Sequence, residues 1–199
     1  MTNNIEFDYL IDALKSLPGV GKKQAERIAH FFIKKDDQYV KEFIDRIIRV
    51  KQKIKICKNC NNYCFGEICD ICSNQDRDQT KLCIVASQED LEKIESTNSY
   101  TGKYYILNGE LDIKNNIALN QQIVQKLMDL LKRWPIKEVV IATNWTINGE
   151  ATAAFIKKIV SNVSNAEVFR IALGLPINSA LDYADNLTLK HALKNKTKY

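Results

Sequence analysis

The sequence predicts a multidomain α+β protein with an N-terminal helical module, a four-cysteine metal-binding segment, an α/β domain with a parallel sheet, and a short C-terminal helical segment. Three observations lead to this fold class. Apolar residues recur at helical spacing in the N-terminal quarter, five cysteines cluster within a short polar stretch, and the rest of the chain alternates strand-like with helix-like runs.

The N-terminal module is predicted from three apolar stripes with a spacing of three and four residues. The stripes are Phe7, Leu10, Ile11 and Leu14, ending near Ser16; then Ala25, Ile28, Ala29 and Phe32; then Val40, Phe43, Ile44, Ile47 and Ile48. Leu17-Pro18-Gly19-Val20-Gly21 separates the first two, and it is too short and too rich in helix breakers for anything but a tight hairpin. Asp36 and Asp37 are N-cap candidates for the third helix. Residues 1–52 therefore form a predicted helical module.

Four of the clustered cysteines form two pairs with metal-ligand spacing, Cys57-x2-Cys60 and Cys69-x2-Cys72. Two intervening residues let the chain fold back, so that both sulfurs of a pair point at one tetrahedral ion. Zinc fits best, although an all-sulfur site would also accept iron. A closed four-ligand site leaves no position for substrate, which favours a structural role, and residues 53–80 are predicted to be a zinc finger.

The other cysteines and the two histidines are weaker candidates. Cys64 lies between the pairs and could replace one ligand, but it belongs to no Cys-x2-Cys unit and we predict that it is not a ligand. Cys83 follows Leu82 in an apolar run, so we predict a small core residue and not a nucleophile. His30 and His191 are both far in sequence from the cysteine cluster.

From Lys81 onward, strands and helices alternate, which predicts right-handed crossovers and a parallel sheet with helices on both faces. The predicted strands cover 82–86, 104–107, 138–143 and 167–172, and the predicted helices cover 89–95, 121–134 and 149–163. Residues 81–172 thus form the predicted α/β domain. The segment 173–199 ends the chain with a short helix at 187–193 and a basic tail.

Composition limits the class of protein and its partners. The 199 residues include 29 lysines and arginines against 24 acidic residues, and the resulting charge of +5 suits a polyanionic partner. No run is apolar for long enough to span a membrane, and Met1 to Phe7 lacks the features of a signal peptide. A cytoplasmic location follows as an expectation, and it disfavours disulfides among the six cysteines.

The hairpin carries features of a phosphate-binding site. Gly19 and Gly21 let backbone amides approach a ligand, and the positive end of the next helix begins at about Lys22. Lys23 and Arg27 share one helix face. Charge alone favours an ordinary solvated helix, but the string Leu14-x-x-Leu17-Pro18-Gly19-Val20-Gly21-Lys22-x-x-Ala25-x-Arg27-Ile28-Ala29 resembles the helix-hairpin-helix DNA-binding motif. That motif contacts phosphates without reading bases, which implies DNA binding that is independent of sequence.

The order of hairpin, cysteine pairs and α/β unit resembles the bacterial RecR recombination protein family nearly end to end. Beyond the hairpin and the paired cysteines, the resemblance is carried by Arg77-Asp78; Asp90-Leu91, Ile94-Glu95 and Gly102-x-Tyr104; Ala142-Thr143-Asn144 and Gly149-Glu150-Ala151-Thr152-Ala153; and Arg170-x-Ala172-x-Gly174-x-Pro176, Leu181-x-Tyr183-Ala184-Asp185 and Thr188-Leu189. The resemblance implies a Toprim fold from about Lys81 and a ring-shaped homotetramer that can encircle DNA. It also implies cooperation with RecO, and in many bacteria RecF, in loading RecA at single-stranded gaps.

The chain departs from the Toprim pattern where magnesium-dependent members of that fold carry carboxylates. Ala86 stands where the RecR family usually has a glutamate, Thr143-Asn144-Trp145 replaces an Asp-x-Asp pair, and Asn148 replaces an acidic residue. Magnesium needs hard oxygen ligands. Because these carboxylates are missing, we predict that the protein neither cleaves nor ligates DNA strands. The remaining acidic candidates, Glu89, Asp90 and Glu150, are more typical of residues that stabilise helix N-termini.

Three functional hypotheses follow. The preferred one is a non-enzymatic DNA-binding clamp or mediator in recombinational repair. The alternative is a magnesium-dependent Toprim nuclease or primase-like enzyme, in which Glu150 and Asp90 would be ligands. In a third hypothesis, the chain is a zinc-ribbon scaffold that binds only proteins through residues 173–193. The C-terminal segment itself either caps the sheet or contacts another subunit, and Asn178-Ser179 departs from the glycines that are common in the family after Pro176.

Overall fold

The computed structural model describes residues 5–175, 177–178 and 180–196, which divide into two compact units, Met1–Ile54 and Lys55–Tyr199. The first unit contains α1 (Ile5–Lys15), α2 (Lys22–Ile33) and α3 (Asp37–Lys53). All three predicted helices are confirmed. Ala25 and Ala29 on α2 are fully buried, and the Asp36 carboxylate caps α3 by accepting a hydrogen bond from the Tyr39 amide at 2.7 Å.

The apolar stripe of α3 remains largely exposed within the chain. Phe43, Ile44, Ile47 and Ile48 are each at least 42% exposed, although Phe43 packs against Phe32 with ring centroids 5.2 Å apart. A module of three short helices has little interior, and this one leaves a contiguous row of large apolar side chains on its surface.

The second unit begins with a short segment around the paired cysteines, and we refer to residues 55–74 as the cysteine knuckle. It contains an antiparallel hairpin of β1 (Lys55–Ile56) and β2 (Tyr63–Cys64), followed by one turn of helix, α4 (Asp70–Ser73). This hairpin could not be predicted from the sequence, because strands of two residues have no detectable periodicity.

The rest of the second unit is built on a four-stranded parallel sheet with the order β4-β3-β5-β6. Its elements are β3 (Asp78–Val85), α5 (Gln88–Glu95), β4 (Gly102–Ile106), α6 (Gln121–Arg133), β5 (Glu138–Ala142), α7 (Ile147–Val163) and β6 (Glu167–Arg170). The predicted fold class is confirmed. The first two strands begin earlier than predicted, at Asp78 and Gly102, because these polar or small residues pair with each other across the sheet.

Both faces of the sheet are covered. Leu82 and Ile84 point to one face and pack with α6 and α7 in the larger core, whereas Cys83 and Val85 point to the other face and pack with Leu91 of α5. This alternation within an unbroken apolar run is the pattern expected for a central parallel strand. The sheet therefore provides a rigid base for the knuckle and for the loops at the strand ends.

Two glycines are required by close packing. A Cβ at Gly149 would overlap the main chain of Asn144, and a Cβ at Gly102 would lie 2.7 Å from the Lys81 carbonyl oxygen. Gly149 lets the first turn of α7 pack directly on the loop that follows β5, and Gly102 lets β4 begin alongside β3. These contacts give a physical reason for two glycines within the quoted motifs.

The C-terminal segment contains a 3-10 turn at Leu181–Tyr183 and α8 at Asn186–Lys194. Asp185 caps α8 by accepting hydrogen bonds from the amides of Leu187 and Thr188, both at 2.9 Å. Pro176, which belongs to the quoted family motif, and Ser179, which belongs to the expected departure from it, lie outside the described residues. Across the described part of the chain, no helix combines the length and apolar character needed to cross a membrane.

Candidate metal centre and nucleic-acid interface

The four paired cysteines come together in the knuckle. The sulfur atoms of Cys57, Cys60, Cys69 and Cys72 all lie within 4.8 Å of one another, and the first three residues are buried. A tetrahedral ion with sulfur ligands at about 2.3 Å places those sulfurs about 3.8 Å apart, so the cluster needs little adjustment to hold one. The four-cysteine cluster can therefore bind a metal ion.

Local backbone structure aims each pair of sulfurs inward. Asn61 adopts a left-handed conformation with φ of 66°, which turns the chain back after Cys60, and Cys69 precedes the single turn of α4. The amide of Cys69 donates a hydrogen bond to the Cys57 sulfur at 3.3 Å, and the Asn62 amide lies 3.5 Å from the Cys60 sulfur. Amide donors of this kind favour the thiolate form, which is the form that ligates metals.

Without a cation, the clustered thiols cannot all ionise. Hydrogen bonding from Cys60 lowers the pKa of Cys57, whereas hydrogen bonding to Cys57 raises the pKa of both Cys60 and Cys72. Ionisation of one thiol thus keeps the neighbouring thiols protonated, because adjacent negative charges repel. A divalent cation removes this conflict by compensating the charge of the thiolates.

Cys64 and Cys83 lie outside the cluster. The Cys64 thiol donates toward the Gly66 carbonyl oxygen at 3.2 Å, and its residue pairs with Lys55 in the hairpin. Cys83 is 2% exposed within β3, and burial raises the pKa of its thiol to about 12. Cys83 has the environment of a core residue, as the sequence predicts.

The knuckle is attached to the edge of the sheet. Ile106, at the end of edge strand β4, donates its amide to the Cys60 carbonyl oxygen at 2.9 Å, and its own carbonyl accepts from the Asn61 side-chain amide at 2.8 Å. These bonds satisfy backbone groups that an edge strand would otherwise expose. The cysteine cluster therefore fixes a structural element directly on the α/β domain.

The hairpin between α1 and α2 is tight, as predicted, and its backbone is accessible. Gly19 has φ of +75°, and apart from neighbouring chain atoms no described atom lies within 4 Å of the positions that a Cβ would occupy at Gly19 or Gly21. Gly21 is the N-cap of α2, and because it has no side chain it cannot accept hydrogen bonds from the first amides of the helix. Lys22, Lys23 and Arg27 are all exposed on α2. The structure thus presents free helix-end amides together with three cationic side chains, an arrangement that suits a phosphate.

A cleft lies at the carboxyl ends of β3, β4 and β5, where α/β sheets usually bind ligands. It has a volume of about 600 Å³. Its lining residues are Ile56, Tyr63, Ala86, Ser87, Gln88, Asp90, Asn108, Gly109, Glu110 and Asn144. Of the described residues in this lining, Asp90 and Glu110 alone carry carboxylates.

Both carboxylates of the cleft are used by neighbouring groups. Asp90 forms a capping box with Ser87 at the start of α5, accepting from its amide at 3.0 Å and its hydroxyl at 2.9 Å. Glu110 accepts from the backbone and side-chain amides of Asn144, at 2.8 and 3.0 Å. Glu110 is not among the residues predicted from the sequence, because it lies in a loop and its partner is distant in sequence. Within the described residues, the four cysteines are the sole group of three or more metal-ligating side chains.

Glu150, the second ligand in the magnesium-dependent alternative, is paired with Arg170. The guanidinium of Arg170 donates two bonds to Glu150, at 2.9 and 3.0 Å, and lies 4.4 Å from the ring of Trp145. Trp145 in turn contacts His191 of α8, with ring centroids 5.6 Å apart. Residues Leu181, Tyr183 and Leu187 near α8 are all more than 60% exposed.

Comparison with known proteins gives matches along almost the whole chain. Family models described as "RecR, helix-hairpin-helix", "Toprim domain" and "RecR, C-terminal" match residues 7–50, 80–172 and 174–197. Recombination protein RecR of Ureaplasma urealyticum is 44% identical over 198 residues, covering 100% of this chain and 98% of that protein. Those of Ureaplasma parvum and Bifidobacterium adolescentis are 43% and 37% identical, and the latter match covers 94% of this chain and 93% of the relative.

Proposed function

Since the chain belongs to the RecR family of recombination proteins and has a role in recombinational repair, we propose that it is a non-enzymatic DNA clamp or mediator. In this proposal it acts with RecO, and with RecF in bacteria that have it, to promote RecA loading at single-stranded gaps. We assign residues 1–52 to DNA binding, 53–80 to a zinc finger, 81–172 to a Toprim-like domain and 173–199 to subunit contact.

The non-enzymatic part of the proposal rests on the lack of available carboxylates in the described lining of the cleft at the strand ends. Ala86 lies at the end of β3 where a carboxylate would be needed, and the two carboxylates that do line the cleft are hydrogen-bonded to neighbouring protein groups. A magnesium ion needs several oxygen ligands with little competition for their lone pairs. Asp90, Glu110 and Glu150 each already serve a local structural contact.

DNA binding is proposed for the hairpin residues Gly19, Gly21, Lys22, Lys23 and Arg27. Backbone amides at the start of α2 would contact phosphates, and the side chains would add a salt-dependent attraction. One subunit with a charge of +5 binds weakly. A ring of about four subunits would present several hairpins to one duplex and raise the avidity without a new type of contact.

Two surfaces support the proposed homotetramer. The row on α3 from Phe43 to Ile48 and the segment near α8 with Leu181 and Tyr183 expose large apolar side chains. Patches of this kind on a soluble protein mark interaction sites more often than free surface. The exposure of the second patch favours subunit contact over the role of a cap on the sheet.

Zinc is the proposed metal, held by Cys57, Cys60, Cys69 and Cys72. Four thiolates in a closed, largely buried site suit a tetrahedral ion without redox chemistry, and its contribution would be structural. A cytoplasmic location is part of the proposal, and the use of four cysteines as metal ligands, which is typical of proteins in reducing compartments, supports it.

The salt dependence of DNA binding tests the hairpin assignment. We expect the affinity of the wild type for a labelled duplex, measured by fluorescence anisotropy, to fall linearly with salt on logarithmic axes. Replacing Lys23 and Arg27 by Ala should reduce that slope by about 0.9 for each phosphate that the variant no longer neutralises. The matched control replaces Lys157 and Lys158, which are exposed on α7, and it removes the same charge. An unchanged slope in the hairpin variant, or an equal reduction in the control, would exclude the hairpin from the interface.

Incubation with DNA and magnesium tests the non-enzymatic assignment. The substrates are nicked, single-stranded and supercoiled DNA, and the expected result is that all three remain intact without ligation of the nick. Magnesium-dependent turnover that disappears in Glu150→Gln or Asp90→Asn would replace the clamp proposal with a nuclease or primase-like function.

A further inference from the structure

Two lysines of the α/β domain contact the backbone of the knuckle, one at each cysteine pair. The first is Lys103 of β4, which is only 1% exposed. Its ammonium group donates to the carbonyl oxygens of Ile71, Cys72 and Asn74, at 2.8, 3.1 and 2.6 Å. All three ammonium protons thus have acceptors in the part of the knuckle that contains the second cysteine pair.

The second lysine is Lys126 of α6. Its ammonium group donates to the Cys57 carbonyl oxygen at 3.0 Å and to the Asn61 side-chain oxygen at 2.6 Å. Asn61 is 4% exposed and donates its own side-chain amide to Ile106 of the edge strand. Lys126 therefore fixes the turn of the first cysteine pair, as Lys103 fixes that of the second.

In the part of the chain that the structure describes, neither lysine forms an ion pair with a carboxylate. The ion pairs found within residues 5–175, 177–178 and 180–196 do not include Lys103 or Lys126. A buried ammonium without a nearby negative charge is costly even when its hydrogen bonds are made. Each lysine bonds to the carbonyl of one cysteine of the cluster, which places both ammonium groups beside the thiolates that would hold a metal ion.

The charge of an occupied cluster matches the two lysines. A divalent cation bound by four thiolates leaves two negative charges uncompensated, and two ammonium groups supply the same number of positive charges. Contacts of this kind behind the ligands orient them and tune the affinity of a metal site. An isolated buried lysine would contact one part of the site, whereas here each cysteine pair has its own lysine.

We propose that Lys103 and Lys126 are positioning residues and counter-ions of the metal centre, which hold each cysteine pair against the α/β domain and stabilise its metal-bound form. This inference rests on the proposed metal site. It means that metal binding and attachment of the knuckle to β4 reinforce each other. Without the metal, the thiols would be largely protonated and the cluster would lose its net negative charge. The ammonium groups of Lys103 and Lys126 would then lack compensating charge.

The rate of zinc release from the full-length, zinc-loaded protein tests this proposal. The protein is mixed with an excess of a chromogenic chelator, and the release rate is measured for wild type, Lys103→Met and Lys126→Met. Each substitution should accelerate release by about tenfold or more, in line with the effect of removing contacts behind metal ligands. The control is Lys132→Met, an exposed lysine on the same helix as Lys126, which should release zinc within about twofold of wild type.

A second measurement separates the electrostatic role from packing. Denaturant unfolding of the zinc-loaded and the zinc-free protein should show a larger destabilisation by Lys126→Met when zinc is bound, and Lys126→Arg should restore most of the difference. Lys126 is only partly buried, so its variants remain informative if Lys103→Met does not fold. Equal destabilisation with and without zinc, together with release rates like that of Lys132→Met, would overturn the proposal. A wild type that binds less than about half an equivalent of zinc would instead refute the metal assignment itself.

Discussion

The ion pair between Arg77 and Glu95 gives the sharpest test of how the start of β4 is held. Arg77 donates two parallel hydrogen bonds to Glu95, at 2.7 and 2.8 Å, and further bonds to the carbonyl oxygens of Gly102 and Tyr100. The two charged side chains are only 15% and 28% exposed. The guanidinium therefore joins the end of α5 to the edge strand in a setting with limited access to water.

Replacing Glu95 by Gln removes the charge and one of two acceptor oxygens while keeping the shape of the side chain. A hydrogen bond to a charged group contributes about 1.5–3 kcal/mol, and the Arg77 charge would be left without its counter-ion. Because both side chains keep some contact with solvent, we expect a loss of about 2 kcal/mol of unfolding free energy at neutral pH. Glu92→Gln on the exposed face of α5 is the matched control, with an expected change below about 0.5 kcal/mol.

The pH dependence has a defined sign. Burial by itself would raise the pKa of Glu95, but the hydrogen bonds and positive charge of Arg77, together with the neighbouring Tyr104 hydroxyl, outweigh it and hold the pKa below its ordinary value. A carboxylate with a depressed pKa stabilises the fold above the pKa of the unfolded state, about 4.3, and this stabilisation is lost as the pH falls through the folded-state pKa. The difference between wild type and Glu95→Gln should thus be constant near neutral pH and shrink below about pH 4.

Denaturant titration at several pH values measures this difference. The chain has two tryptophans, Trp134 and Trp145, and both lie in the second unit, so their fluorescence reports on the unit that contains the ion pair. Protein concentration is kept constant to control for subunit association. A difference that stays the same down to pH 3, or that is equal for Glu92→Gln, would refute the assignment of this stabilisation to the Arg77–Glu95 pair.

Three further predictions concern single contacts. Gly149→Ala should lower the unfolding free energy by about 3 kcal/mol in denaturant titration, because its Cβ would overlap Asn144, and a neutral effect would contradict the close packing. Cys60→Ser should prevent stoichiometric zinc binding by elemental analysis, whereas Cys64→Ser should retain one equivalent, since only the former lies in the cluster. Asp36→Ala should cost about 1 kcal/mol of stability and reduce the helical circular dichroism signal, and no change in either would exclude its role as the cap of α3.

Elements with local periodicity could be predicted from the sequence. The stripe on α2 and the breakers before it fix the hairpin, and the apolar run from Leu82 to Val85 indicates a central strand because both faces of a parallel sheet are buried. The spacing of the cysteine pairs likewise follows from the local chain geometry that a tetrahedral ion requires. In each case the signal lies within a few residues of the feature.

Features that depend on distant partners could not be predicted in this way. Lys103 occurs in an apolar stretch and gives no sign of being buried, because its acceptors lie about thirty residues earlier in the knuckle. Glu110 is similar, since its partner Asn144 is distant in sequence and the loop has no periodicity. The apolar face of α3 could be predicted from its periodicity. Its exposure could not, because periodicity does not show whether another part of the chain covers that face.

Arg170 stabilises the carboxyl end of β5. Its guanidinium donates to the carbonyl oxygens of Ile141, Thr143 and Asn144 at 2.8–3.0 Å, where β5 ends. It also donates to the Glu150 carboxylate, so its positive charge is surrounded by this carboxylate and the three carbonyl oxygens. A permanent cation in this position already neutralises a carboxylate that a magnesium ion would need. The same guanidinium bonds to Asn144 and Glu150, so it ties the loop after β5 to the first turn of α7.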